Sequence, residues 1–193
     1  MGQLLAYESQ SYAIVVLGGA ALNLLGIVER PTSDVDILAF ARPEQGRPHQ
    51  LREPPEPMPE PLRRAIREVA RDMRLEEDWL NVGPALQWRA GLPPGLAGRV
   101  HWRQYNALHV GLVDRYDLIF FKLFAAADSP GPRSVHYRDL VALGPTGGEL
   151  DAAAEWVQTQ DAAPEFTQIL QKVVSHVRHD LGFDDASHAR RDR

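Results

Sequence analysis

The stretch "LGGAALNLLGIVERPTSDVDILAF", residues 17–40, carries the reading on which the fold turns. It takes over from "YAIVVL" (12–17), a continuous β-branched run of the kind that forms a buried strand, and breaks it with Gly18 and Gly19. Residues 20–26, "AALNLLG", switch to strong helix formers and end on glycine, which predicts a short helix. Residues 28–33 include Arg, Pro, Thr and Ser, a turn composition, and "DVDILAF" (34–40) resumes as a second strand. The unit reads strand, Gly-Gly turn, helix, turn, strand.

Two like charges in the second strand need a reason. Asp34 and Asp36 occupy alternate positions, so their side chains share a face with Cβ atoms about 7 Å apart. Carboxylates that close repel unless a cation lies between them, and oxygen-only ligands suit Mg²⁺ or Mn²⁺, ions that work on phosphate esters. The glycine pair supplies the complementary half, because glycines let backbone amides approach a phosphate closely and a helix start attracts negative charge.

Composition sets the frame around that unit. The chain has 193 residues, 44% hydrophobic and 24% charged, enough for one full core or a core with a satellite. No apolar run reaches the roughly 20 residues of a membrane span, and "MGQLLAYESQ" lacks the basic and apolar regions of a signal peptide, so the expectation is a cytoplasmic protein without a membrane partner. With no cysteine, any metal must sit on carboxylates or histidines. The net charge of −5 argues against bulk attraction to nucleic acid.

Downstream, seven prolines between Arg42 and Pro61 predict a loop over 42–61. "PLRRAIREVARDMRL" (61–75) predicts a helix with Leu62, Ile66, Val69 and Met73 on one face and arginines mainly on the other. "WLNVGPAL" and "GLPPGLAG" hold too many turn residues to assign. "NALHVGLV" (106–113) reads as a strand with His109 and Gly111 on one side. "DRYDLIFFKLFAAAD" predicts a helix with Asp114 and Asp117 at its N-terminal end, followed by a polar turn and a helix in "RSVHYRDLVAL". Thr146 and Glu149 form a capping-box signal, and Phe166, Ile169, Leu170, Val173, Val174 and Val177 repeat at helical spacing, for core or homodimer packing. The polar tail "DDASHARRDR" reads as frayed.

Leu17, Gly18, Gly19, then Asp34, Val35, Asp36 and Ile37, resemble the signature of the nucleotidyltransferase superfamily. With "RPTSDVDI", "DRYDLIFFKLFAAAD" and "YRDLVALGPTGGELDAAAEW" in this order, residues 12–160 are similar to minimal bacterial nucleotidyltransferase-like proteins related to AbiE-type toxins of toxin–antitoxin systems. The resemblance implies an α/β (α+β) fold: a small mixed sheet flanked by helices over 1–113, and a helical region over 114–193 that completes the cleft. It implies transfer of a nucleoside monophosphate from an NTP to an RNA or protein acceptor, with a cognate antitoxin as a further partner. Asp34 and Asp36 would hold the metal, and Gly18, Gly19 and Ser33 would cradle the phosphates. Lys122 resembles the family lysine at the nucleotide, and Arg138 and Asp139 its Arg-Asp pair. Two departures stand out: the strand 106–113 offers His109 and Gly111 where many members carry a third carboxylate, and Ala142 replaces a further Asp. Modification of an aminoglycoside-type small molecule, and nucleotide or partner binding without turnover, are the alternative readings. Ordinary solvated roles compete for Arg133, His136, Asp128, His176 and His179.

Overall fold

The computed structural model describes residues 1–42, 50–128 and 134–183. The expected tail segment 184–193 and Arg133 lie outside the described residues. The fold is mixed α/β, with a six-stranded sheet among the described residues and two compact units, Met1–Asp114 and Arg115–Arg193.

In the first unit the order is α1 (Gly2–Tyr7), β1 (Tyr12–Leu17), α2 (Gly18–Leu24), β2 (Val35–Arg42), β3 (Gln50–Arg52), α3 (Glu60–Met73), β4 (Leu80–Asn81), α4 (Ala85–Ala90), α5 (Leu96–Arg99), β5 (His101–Tyr105) and β6 (Leu108–Leu112). The strands lie in the order β3-β2-β1-β6-β5, with β4 also on β2. β1 is central: it pairs antiparallel with β2 and parallel with β6, which explains why Ala13 to Leu17 are all buried and why the strand reads as an unbroken apolar run. A register shift between Val15 and Val16 inserts an irregularity against β2, next to the Gly-Gly turn.

Several expectations need correction. The Pro-rich loop carries β3, whose three residues pair with the end of β2; residues 43–49 lie outside the described residues. In α3, Leu62 and Ile66 are buried as expected, but Met73 is 70% exposed and the helix buries Ala65 and Ala70 instead. The helix ends there: Arg74 takes a left-handed conformation, φ 56°, so Met73 belongs to a last turn that has left the core face. The predicted strand at 106–113 begins at Leu108, because Asn106 is left-handed (φ 54°) in the turn from β5.

The second unit is helical: α6 (Arg115–Asp128), α7 (Val135–Ala142), α8 (Gly147–Gln160) and α9 (Pro164–Asp180). α6 packs against the other three, so it is apolar almost all round. Phe120 and Phe121 meet Trp156 of α8 at centroid distances of 5.8 and 5.6 Å, and Phe124 meets Phe166 of α9 at 5.9 Å. On α9 the stripe buries Phe166, Leu170, Val173 and Val177, whereas Ile169 is exposed. Asp117, expected as a charge at a helix start, is wholly buried.

Arg115 ties these helices together. Its Nε and Nη2 donate to the carbonyls of Leu143 (2.9 Å) and Gly144 (2.7 Å) at the end of α7, and Nη1 donates to Glu149 Oε1 (2.8 Å). Glu149 also closes the expected capping box with Thr146. The Arg115 guanidinium, with the Thr146 amide, holds the Glu149 carboxyl down at about 2. Its folded value is depressed, so its contribution is complete above the ordinary carboxylate range and disappears as pH falls through about 2. Because the pair is partly exposed, the contribution is about 1 kcal/mol. Urea titrations at pH 7 and pH 3 should show native stability falling more than that of Glu149→Gln; equal falls would refute this role.

Candidate functional site

The glycine turn and the aspartates meet where β1 ends and β2 begins, at one end of the first unit's central strands. β1 ends there at Leu17, directly before Gly18, and β2, running the other way, begins there: Asp36 lies opposite Leu17. Asp34 directly precedes β2 and is exposed, so it stands at the strand's mouth and not within it.

Gly18 is required twice over. Its φ of 71° is left-handed, and a Cβ there would sit 2.6 Å from Asp36 Oδ2. The Asp36 carboxylate therefore rests directly against the turn. At Gly19 a Cβ would lie 2.9 Å from Thr32 Oγ1 and 3.4 Å from Arg30 Nη2, so both side chains also converge on the glycine pair. Arg30 is fixed by Asn23, whose Nδ2 donates to the Arg30 carbonyl at 2.8 Å and whose Oδ1 accepts from the Arg30 amide at 3.3 Å. The Thr32 hydroxyl lies 3.1 Å from Asp34 Oδ1 and 3.2 Å from the Asp34 carbonyl, within donating reach of both. Ser33 is exposed at the bend before Asp34. Arg30 and Thr32 were visible in the sequence only as turn composition; their approach to Gly19 depends on how the 25–33 connection folds back.

Val35, between the aspartates, lines an apolar cavity of about 400 Å³ together with Ile14, Val16, Ala20 and Leu24. Alternation along β2 then turns Asp36 away from that cavity. Two carboxylates without sulfur or nitrogen donors fit Mg²⁺ or Mn²⁺, which are commonly held by one or two carboxylates plus substrate phosphates. Among the described residues no group of three or more His, Asp or Glu side chains gathers in a metal-holding arrangement.

Register also shows what β6 brings to the face of Asp36. Leu112 pairs with Val16 and Gly111 with Val15, so Gly111 and His109 share the face of Leu17 and Asp36. A Cβ at Gly111 would lie 3.0 Å from the Trp102 ring and 2.5 Å from Val100 Cγ1. That part of the face is filled by the side chains of Val100 and Trp102, and His109 is half-buried beside Gln104.

The second unit brings Lys122 and Asp139 together. Lys122 Nζ donates to Asp139 Oδ2 at 2.7 Å, with the two side chains only 7% and 3% exposed. Helix α6 is buried all round, so a lysine in it needs an anionic partner, and α7 supplies one. Arg138, the neighbour of Asp139, points to the exposed side of α7. The sequence singled out both members of the ion pair but not their bond. Tyr137 donates to Asp180 Oδ2 at 2.7 Å, and burial, then that bond and charge, push its phenol upward.

Gly18→Ala should separate geometry from general strain. It incurs the left-handed penalty, about 1 kcal/mol, and also displaces the Asp36 carboxylate. Gly26 is equally left-handed (φ 72°) with nothing within 4 Å of a Cβ, so Gly26→Ala incurs the first cost alone. Thermal melts with and without Mn²⁺ and NTP should show a loss of stability in both variants, at least as large in Gly18→Ala, and loss of ligand stabilisation only in Gly18→Ala. Equal ligand response in both would contradict the placement of Asp36. Comparison of the chain with protein-family models, curated proteins and solved structures returns no match.

Proposed function

We propose that this chain is a metal-dependent nucleotidyltransferase that moves a nucleoside monophosphate from an NTP to an RNA or protein acceptor, in the setting of a toxin–antitoxin pair. One observation supports the reading: the Asp36 carboxylate lies against Gly18, 2.6 Å from where a Cβ would be, so one member of the acidic pair stands directly at the glycine turn. When bound, Mg²⁺ or Mn²⁺ would neutralise triphosphate charge and activate the attacking oxygen. Asp34 and Asp36 would hold the ion. The backbone amides of Gly18 and Gly19 would face the phosphate oxygens, and Arg30, whose guanidinium lies 3.4 Å from where a Gly19 Cβ would be, would add a positive charge beside them.

A second reading, nucleotide or partner binding without turnover, is favoured by the Gly111 and His109 positions, which place no carboxylate on that stretch of the face of Asp36. One experiment separates the two. The purified chain and an Asp34→Ala, Asp36→Ala variant are mixed with each labelled NTP, Mg²⁺ or Mn²⁺, and total bacterial RNA and protein. Label transferred by the native chain alone supports the transferase and identifies donor and acceptor class. NTP binding without transfer or pyrophosphate supports the silent binder and sinks the first reading.

A further inference from the structure

The two aspartates are held in different ways. Asp36 lies within β2 and its carboxylate rests against Gly18, so the sheet sets its place. Asp34 precedes the strand and is exposed, and such a side chain samples several rotamers unless a local contact selects one. A metal site built on two carboxylates needs both aimed before the ion arrives, because ordering a ligand on binding costs affinity.

Thr32 supplies the local contact. Its Oγ1 lies 3.1 Å from Asp34 Oδ1 and 3.2 Å from the Asp34 carbonyl. One hydroxyl proton serves one of these acceptors at a time, and the ionised carboxylate is the stronger. The same side chain also abuts the glycine turn, with Oγ1 2.9 Å and Cβ 3.4 Å from where a Gly19 Cβ would be. Gly19 is not among the left-handed glycines, so what matters there is the room its missing side chain leaves. Thr32 and Arg30 take up that room. The connection is fixed two residues earlier by the pair of hydrogen bonds between the Asn23 side chain and the Arg30 backbone. Thr32 is thus seated from both sides, by Gly19 and by the anchored chain before it.

The geometry points to Thr32 as the positioning residue of Asp34, an assignment that rests on the metal-dependent site proposed above. The hydroxyl donates to Oδ1 and so selects one orientation of the carboxylate, leaving Oδ2 as the oxygen offered to a divalent ion. The body of the side chain, resting on Gly19, couples that orientation to the glycine turn. Two consecutive glycines then each seat one aspartate: Gly18 by direct contact with Asp36, Gly19 by way of Thr32. Thr32 keeps its proton throughout and touches neither the ion nor the nucleotide in this scheme.

Three substitutions in the full chain test it. Thr32→Ser keeps the hydroxyl, Thr32→Val keeps the branched shape against Gly19 without the hydroxyl, and Thr32→Ala removes both. Mn²⁺ binding is measured from the electron paramagnetic resonance signal of the unbound ion, with and without NTP, beside melting temperatures in metal-free buffer. A group that orients a metal ligand typically carries about tenfold to a hundredfold in affinity, so Thr32→Val and Thr32→Ala should bind Mn²⁺ more weakly by that factor. Thr32→Ser should stay within about threefold of native. Native Mn²⁺ affinity in Thr32→Val and Thr32→Ala, whatever their melting temperatures, would overturn the assignment while leaving the metal site standing. An equal loss in Thr32→Ser and Thr32→Val would overturn it too, since the hydroxyl would then not be the group that matters. A native chain that takes up no Mn²⁺ with NTP, or no more than the Asp34→Ala, Asp36→Ala variant does, would remove the metal site itself, and this assignment with it.

Discussion

Asp36→Asn should abolish metal-dependent transfer while leaving the protein folded. The substitution keeps the size of the side chain and its place against Gly18, but removes the charge that a divalent ion needs. Several kcal/mol of charge stabilisation at the triphosphate disappear with it, so kcat/KM should fall by about a thousandfold or more. Stability should move the other way or hardly at all. Asp34 and Asp36 are like charges at neighbouring alternate positions, and neutralising one relieves repulsion, so the melting temperature should stay within about 3 °C of native. The informative comparison is Mn²⁺-induced stabilisation: native chain should gain, and Asp36→Asn should not. A variant that keeps both transfer and its Mn²⁺ response would remove the two-aspartate metal site from consideration.

The sequence made the centre of the first unit legible because one local pattern contained it. "YAIVVL" has no polar interruption since β1 is flanked by β2 and β6, and the glycine pair coincides with a backbone turn that only glycine relaxes into. The elements that were missed lack such a pattern. "HWRQY" forms β5, an edge strand with mostly exposed side chains, so it carries no apolar alternation to betray it. β3 hides among prolines because three residues at the outer end of β2 need little intrinsic strand preference once the partner is in place. At the site, Asp36 and Gly18 were readable because sequence spacing brings them near each other through one hairpin-like return. Arg30 and Thr32 reach Gly19 through a connection whose path depends on Asn23, 7 residues from Arg30, and no local signal encodes it. Lys122 and Asp139 were each identifiable, but their bond spans two helices and 17 residues.

Lys122→Met is expected to be the most destabilising of these substitutions. Methionine matches the aliphatic stem, so little packing is lost, but Asp139 keeps a buried negative charge without its ammonium. Breaking a buried pair from one side costs about 3–5 kcal/mol, whereas replacing both members by apolar groups of similar size is often near neutral. Urea unfolding should therefore show a large loss for Lys122→Met and a substantial recovery when Asp139→Leu is added. That recovery gives the double variant its use: it is folded without the ion pair, so its transfer activity reports on chemistry alone. If transfer stays lost in the recovered double variant, Lys122 or Asp139 acts on the nucleotide, as the resemblance implies. If transfer returns with stability, the pair serves only to seat α7 on α6. A cost below about 1 kcal/mol for Lys122→Met would instead mean that the pair is open to water in solution, the range of surface ion pairs.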